Sequence, residues 1–103
     1  MKVGMERFEE AVQAAIDAIP AQFQPYLDDV EFVVADRSPE GLLGLYDGSG
    51  ALGGEGFPAR VTVYKASHEA ACDTWPELVE EVRRTVLHEI GHHFQMEEGE
   101  LPY

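Results

Sequence analysis

Apolar residues fall at helical spacing near the start of the chain, where Phe8, Val12, Ala15, Ile16 and Ile19 share one face and Pro20 closes the run. This pattern predicts an amphipathic helix from Met5 to Ile19. Ala21 to Asp29 holds Phe23, Pro25, Tyr26 and Leu27 without a sustained period and reads as an irregular connection or a short helix. Val30-Glu31-Phe32-Val33-Val34-Ala35 is rich in β-branched and aromatic residues and is bounded by Asp28-Asp29 and Asp36-Arg37-Ser38-Pro39, which makes it the strongest strand. A short strand is expected at Leu42 to Tyr46, running into a glycine-rich loop. Val61, Val63 and Lys65 then alternate with Thr62 and Tyr64. That alternation predicts a strand with two different faces, expected at an edge of the sheet. Ser67 to Asp73 reads as a connection.

The last long pattern is the clearest. Val79, Val82, Val86, Ile90 and Phe94 recur at three- and four-residue steps and predict a helix over 76–94. Asp73 or Thr74 is the expected cap, with Pro76 in the first turn and Glu77, Glu80 and Glu81 suited to the positive end of the helix. Trp75 is expected to anchor in the core. The order of elements predicts a single α+β domain over residues 1–103, with an N-terminal helix, a small mixed β-sheet and a long C-terminal helix.

Composition narrows the possibilities. A chain of 103 residues supports one small core and a minimal site. No apolar run approaches the roughly 18 residues that a membrane span needs, so a soluble domain is expected. Seven basic against twenty acidic residues give a net charge of −13, which disfavours nucleic acid and anionic membrane surfaces as partners and favours cations. The single Cys72 and a start without the features of a secretory signal point to the cytoplasm. Cys72 is expected to be a small buried residue. The glycines between Gly48 and Gly56 lack the lysine and the following helix of a phosphate-binding loop.

Candidate chemistry lies inside the C-terminal helix, in His88-Glu89-Ile90-Gly91-His92. On a helix turning about 100° per residue, His88 and His92 lie about 40° apart, one turn above the other, so both imidazoles can reach one ion. Glu89 then sits beside that ion, placed to take a proton from a bound water without entering the coordination sphere. The apolar stripe runs on roughly the opposite face. His93 lies about 140° round from His88 and reads as a core histidine or a support to the site.

Set on a helix and preceded by strands, this motif resembles that of the zincin metallopeptidases, and the whole chain looks like the small bacterial zincin-like domains. The resemblance implies that His88 and His92 bind Zn2+ and that Glu89 is the general base. It implies an extended peptide or protein as substrate, paired with an edge strand for which Val61 to Lys65 is the candidate. A monomer is expected. A catalytic zinc takes three protein ligands. In zincins with the compact extended motif the third falls ten residues after the first histidine, which here is Glu98. Gln95 replaces the glycine of that motif. An unbroken helix would point Glu98 about 280° round from His88, so Glu98 can ligate only if the helix ends near Phe94 to Met96. Glu97, Glu100 and Gln95 remain alternatives. Tyr64, His68 and Tyr103 are candidates for a donor to the developing oxyanion, and Met96 for a hydrophobe closing the helix.

Two other functions fit the same residues. One is a non-catalytic metal-binding module for interaction or regulation, and the other is a zinc that only stabilises the fold.

Overall fold

The computed structural model describes residues 1–48 and 59–94. Helix α1 spans Met5–Asp17 and buries Phe8, Ala11, Val12 and Ala15, the face that its spacing predicts. A 3-10 helix, Ala21–Leu27, follows with Pro25 inside it. Strands β1 (Val30–Ala35), β2 (Gly44–Asp47) and β3 (Ala59–Tyr64) form one sheet in the order β1-β3-β2. β1 runs parallel to β3 and β2 antiparallel to it, so the sheet is mixed. Helices α2 (Lys65–Ala71) and α3 (Trp75–His93) complete the described chain. The architecture is α+β, as the pattern predicts.

Two expectations are corrected. Val61 to Lys65 does not form an edge: β3 is central, with β1 on one side and β2 on the other. Alternation reports which face of a strand is buried and is silent about its neighbours, so the two cases look alike in sequence. Within the described sheet the strand beside the motif helix with a free side is β2. Residues 67–73 are not a plain connection either, because most of them belong to α2. That helix buries His68 and Glu69 in place of aliphatic residues, and so leaves no apolar period.

The core lies between one face of the sheet and the two long helices. Phe8 from α1, Val61 and Val63 from β3, and Leu78, Val82 and Val86 from α3 are fully buried, and Cys72 is buried as expected. Burying each of the larger of these side chains stabilises the fold by about 1.5–3 kcal/mol. Glu69 is held by the Val3 N–H at 2.8 Å and by the Lys65 ammonium at 3.1 Å, tying α2 to the segment before α1. Burial pushes its carboxyl up, but these two partners outweigh that and hold it below the ordinary range.

Both ends of α3 are fixed. At its start Thr74 Oγ1 accepts from the Glu77 N–H at 3.3 Å, while Glu77 Oε1 accepts from the Thr74 and Asp73 N–H groups at 3.0 and 2.9 Å. This reciprocal capping box selects Thr74 as the cap. Trp75 packs against the core with the Arg7 guanidinium 3.9 Å over its ring. The far end stops at His93, with Phe94 as the C-terminal cap. Phe94 lies against Phe23 and Tyr26 of the 3-10 helix, with ring centroids 5.2 and 5.8 Å away. The ladder of α3 therefore presents His88 and His92 in its last two turns, held at the closing end by three aromatic rings.

Candidate metal and catalytic site

His88 and His92 stand on successive turns of α3 with ring centroids 4.9 Å apart and planes at 86°. His88 is half-buried and His92 exposed, so the pair faces an open region while Val82, Val86 and Ile90 face the core. Glu89 lies between them in sequence and is 9% exposed. Burial pushes its carboxyl up, opposed by the two neighbouring histidines and by a hydrogen bond from the Tyr46 backbone N–H, and the net displacement is upward.

That hydrogen bond follows from the register of β2. The Tyr64 N–H donates to the Leu43 carbonyl at 2.9 Å, and β2 continues with Gly44 opposite Val63, Leu45 opposite Thr62 and Tyr46 opposite Val61. Antiparallel pairs alternate between bonded and non-bonded, so Gly44 and Tyr46 turn their backbone groups away from β3. The Tyr46 N–H thus reaches Glu89. Gly44 makes the approach possible: a Cβ there would lie 2.6 Å from Thr85 Cγ2, 3.1 Å from Glu89 Cγ and 3.3 Å from Glu89 Oε2. Only glycine lets the strand settle this close to α3.

Thr85 is supported from behind. Its hydroxyl lies 2.9 Å from both His68 Nε2 and the Glu81 carbonyl, and His68 Nδ1–H donates to the Tyr64 carbonyl at 2.7 Å. His68 has no exposed surface. Burial pushes its imidazole below the ordinary value, against the raising effects of the Tyr64 carbonyl and of Glu81. A neutral ring with the proton on Nδ1 leaves Nε2 an acceptor, so the single Thr85 hydroxyl proton is shared between His68 Nε2 and the Glu81 carbonyl. His68 is therefore a structural link from α2 to α3 and is not available as an oxyanion donor; Tyr64 is half-buried at the end of β3.

His93, read as a core histidine or a support to the site, packs its side chain against Tyr46 and Asp29. Its Nε2 faces Asp29 Oδ1 at 3.6 Å, and its Nδ1 accepts from the Tyr46 hydroxyl at 2.8 Å. Burial raises the Tyr46 phenol above its ordinary value, and the negative charges of Asp29 and Asp47 add to that. A cavity of about 400 Å³ opens on the His88 side, between Leu42, Leu43 and Gly44 of the strand segment and Glu81, Arg84, Thr85, His88 and Glu89 of α3.

Two imidazoles one turn apart and a buried carboxylate beside them fit a metal that takes nitrogen and oxygen donors. Among the described residues no group of three His, Cys, Asp or Glu side chains is arranged to hold a metal ion. Glu98 and its alternatives Glu97, Glu100 and Gln95 lie outside the described residues, as do Met96, Tyr103 and the glycines beyond Gly48. The helix does end at His93, which meets the condition that a ligand at position 98 requires.

The fold and this arrangement define a small metallopeptidase-like domain. A sequence profile for zincin-like metallopeptidases matches residues 24–103, and the chain belongs to that family. The matched stretch includes the sheet, α2 and α3, and leaves out α1. No curated protein matches the chain. No helix among the described residues is long and apolar enough to cross a membrane.

Proposed function

We propose that this protein is a zinc-dependent peptidase of the cytoplasm that hydrolyses amide bonds in extended peptides. The observation that carries the reading is the placement of Glu89, buried beside His88 and His92 and held by the backbone of a sheet edge. His88 and His92 would hold zinc through their ring nitrogens, with Glu98 as the third ligand; the end of α3 at His93 supports that choice. Zinc bound there supplies Lewis acidity, which brings the pKa of water to about 7 and polarises a carbonyl. Glu89 takes the proton of the attacking water at a carboxylate oxygen and returns it to the leaving amine nitrogen. The Tyr46 N–H fixes the carboxylate for both transfers.

The substrate is an extended segment alongside β2, whose Gly44 N–H and carbonyl and Tyr46 carbonyl turn outward from the sheet. The cavity bordered by Leu42 and Leu43 suits an apolar side chain flanking the scissile bond. The net charge of −13 disfavours strongly acidic peptides.

A peptide-library screen with the parent and Glu89→Gln tests this reading. Loss of general-base action lowers turnover by roughly 10²–10⁴-fold, with zinc affinity largely kept because Glu89 is not a ligand. Equal turnover in the two proteins would overturn Glu89 as the general base, and cleavage by neither would favour the non-catalytic metal-binding module.

A further inference from the structure

One residue of β2 touches Glu89, His92 and His93 together. Besides the N–H that binds Glu89, Tyr46 sets its ring beside the His92 imidazole, with centroids 6.4 Å apart and planes 20° from parallel. Its hydroxyl donates to His93 Nδ1 at 2.8 Å, and its ring meets that of His93 edge-on at 5.7 Å. His93 is in turn fixed by Asp29, and its side chain is only 9% exposed. The phenol also fills a particular space: a Cβ on Gly48 would lie 2.3 Å from Tyr46 Cε2 and 2.6 Å from its hydroxyl oxygen.

We infer that Tyr46 is a positioning residue for the His92 imidazole, anchored by His93 and Asp29 and admitted by Gly48. The inference rests on the reading of His92 as a metal ligand. His88 sits one turn inside α3 and has helix on both sides. His92 sits in the final turn, one residue before the helix ends. Terminal turns fray, so a ligand there needs support from outside its own helix. A ring set beside the imidazole, and itself held by a hydrogen bond to a histidine whose side chain is largely buried, limits the positions open to His92 on that side. Partners of this kind orient ligands and are worth about 10–100-fold in metal affinity.

Zinc affinity by chelator competition and the visible spectrum of the cobalt-loaded chain test the inference on the parent, Tyr46→Leu, Tyr46→Phe and Gly48→Ala. Tyr46→Leu removes both the ring and its anchor, and is expected to weaken zinc by about 10–100-fold. Tyr46→Phe keeps the ring and loses the anchor, while Gly48→Ala displaces the phenol without removing any group. Both are expected between the parent and Tyr46→Leu, with altered cobalt spectra. Tyr46→Phe changes one hydroxyl and keeps the packing, so it serves where Tyr46→Leu fails to fold. In the metal-free protein, imidazole nitrogen NMR should show His93 and His92 disturbed by Tyr46→Phe and His88 unchanged. A parent that binds zinc alongside variants of equal affinity and spectrum would overturn the role of Tyr46 alone. A parent that binds no zinc would overturn the reading of His92 and this role with it.

Discussion

Gly44 on the edge strand and Glu89 on the motif helix approach so closely that a Cβ on the glycine would lie 3.3 Å from the carboxylate oxygen. The strand and the carboxylate are thus positioned by one contact. The nearer obstacle is Thr85 Cγ2 at 2.6 Å, on a β-branched side chain with little rotamer freedom. Gly44→Ala is expected to cost about 1–3 kcal/mol by overpacking, read as a lowered urea midpoint. Shifting Glu89 from its place beside the histidines should cost more in turnover, on the order of 100-fold. Unchanged midpoint and turnover would show that β2 does not need the close approach.

His68 gives a pH-dependence whose sign is fixed by its burial. Its folded value lies below the ordinary 6.5, so below that pH the unfolded chain binds a proton that the folded chain resists. The stability it contributes is complete above pH 6.5 and is lost as pH falls toward the folded value. Thermal unfolding followed from about pH 7.5 to about pH 5.5 should show the melting temperature falling with acidity. His68→Gln should lower the melting temperature throughout and flatten that fall. An equally steep fall in the variant would assign the effect to other groups.

The capping box gives a stability prediction independent of the site. Thr74→Ala removes the acceptor for the Glu77 N–H and should cost about 1 kcal/mol. In a domain of this size that is about 4–8 °C in melting temperature. Zinc affinity should be unaffected, since His88 and His92 lie at the other end of α3. A loss of zinc binding in the folded variant would mean that the two ends are coupled.

What the sequence reveals here depends on how local the cause is. Helix α3 is legible because Val82, Val86 and Ile90 draw a stripe, and because Thr74, Pro76 and Glu77 carry the start signal within four residues. His88, Glu89 and His92 are legible for the same reason, since one helical turn brings them together. Helix α2 is not, because what it buries is His68 and Glu69, each satisfied by partners distant in the chain. The central place of β3 depends on which strands lie beside it, and alternation within Ala59–Tyr64 carries no such signal. Tyr46 is read correctly as a strand residue, yet its contact with His93 spans 47 positions and emerges only when β2 settles against α3. Gly44 likewise falls within the strand expected at Leu42 to Tyr46, but the need for glycine there emerges only from the strand's distance from Thr85.

The proposed function requires that His88 and His92 hold a metal that Glu89 serves. Zinc stoichiometry and affinity, by metal analysis and calorimetry on the parent beside His88→Ala and Glu98→Ala, test it most directly. One tight zinc per parent chain, lost in both variants, is the expected result. Unchanged binding in Glu98→Ala alone would move the third ligand to Glu97, Glu100 or Gln95. A parent without stoichiometric zinc, or a His88→Ala variant that binds it as tightly as the parent, would contradict the account.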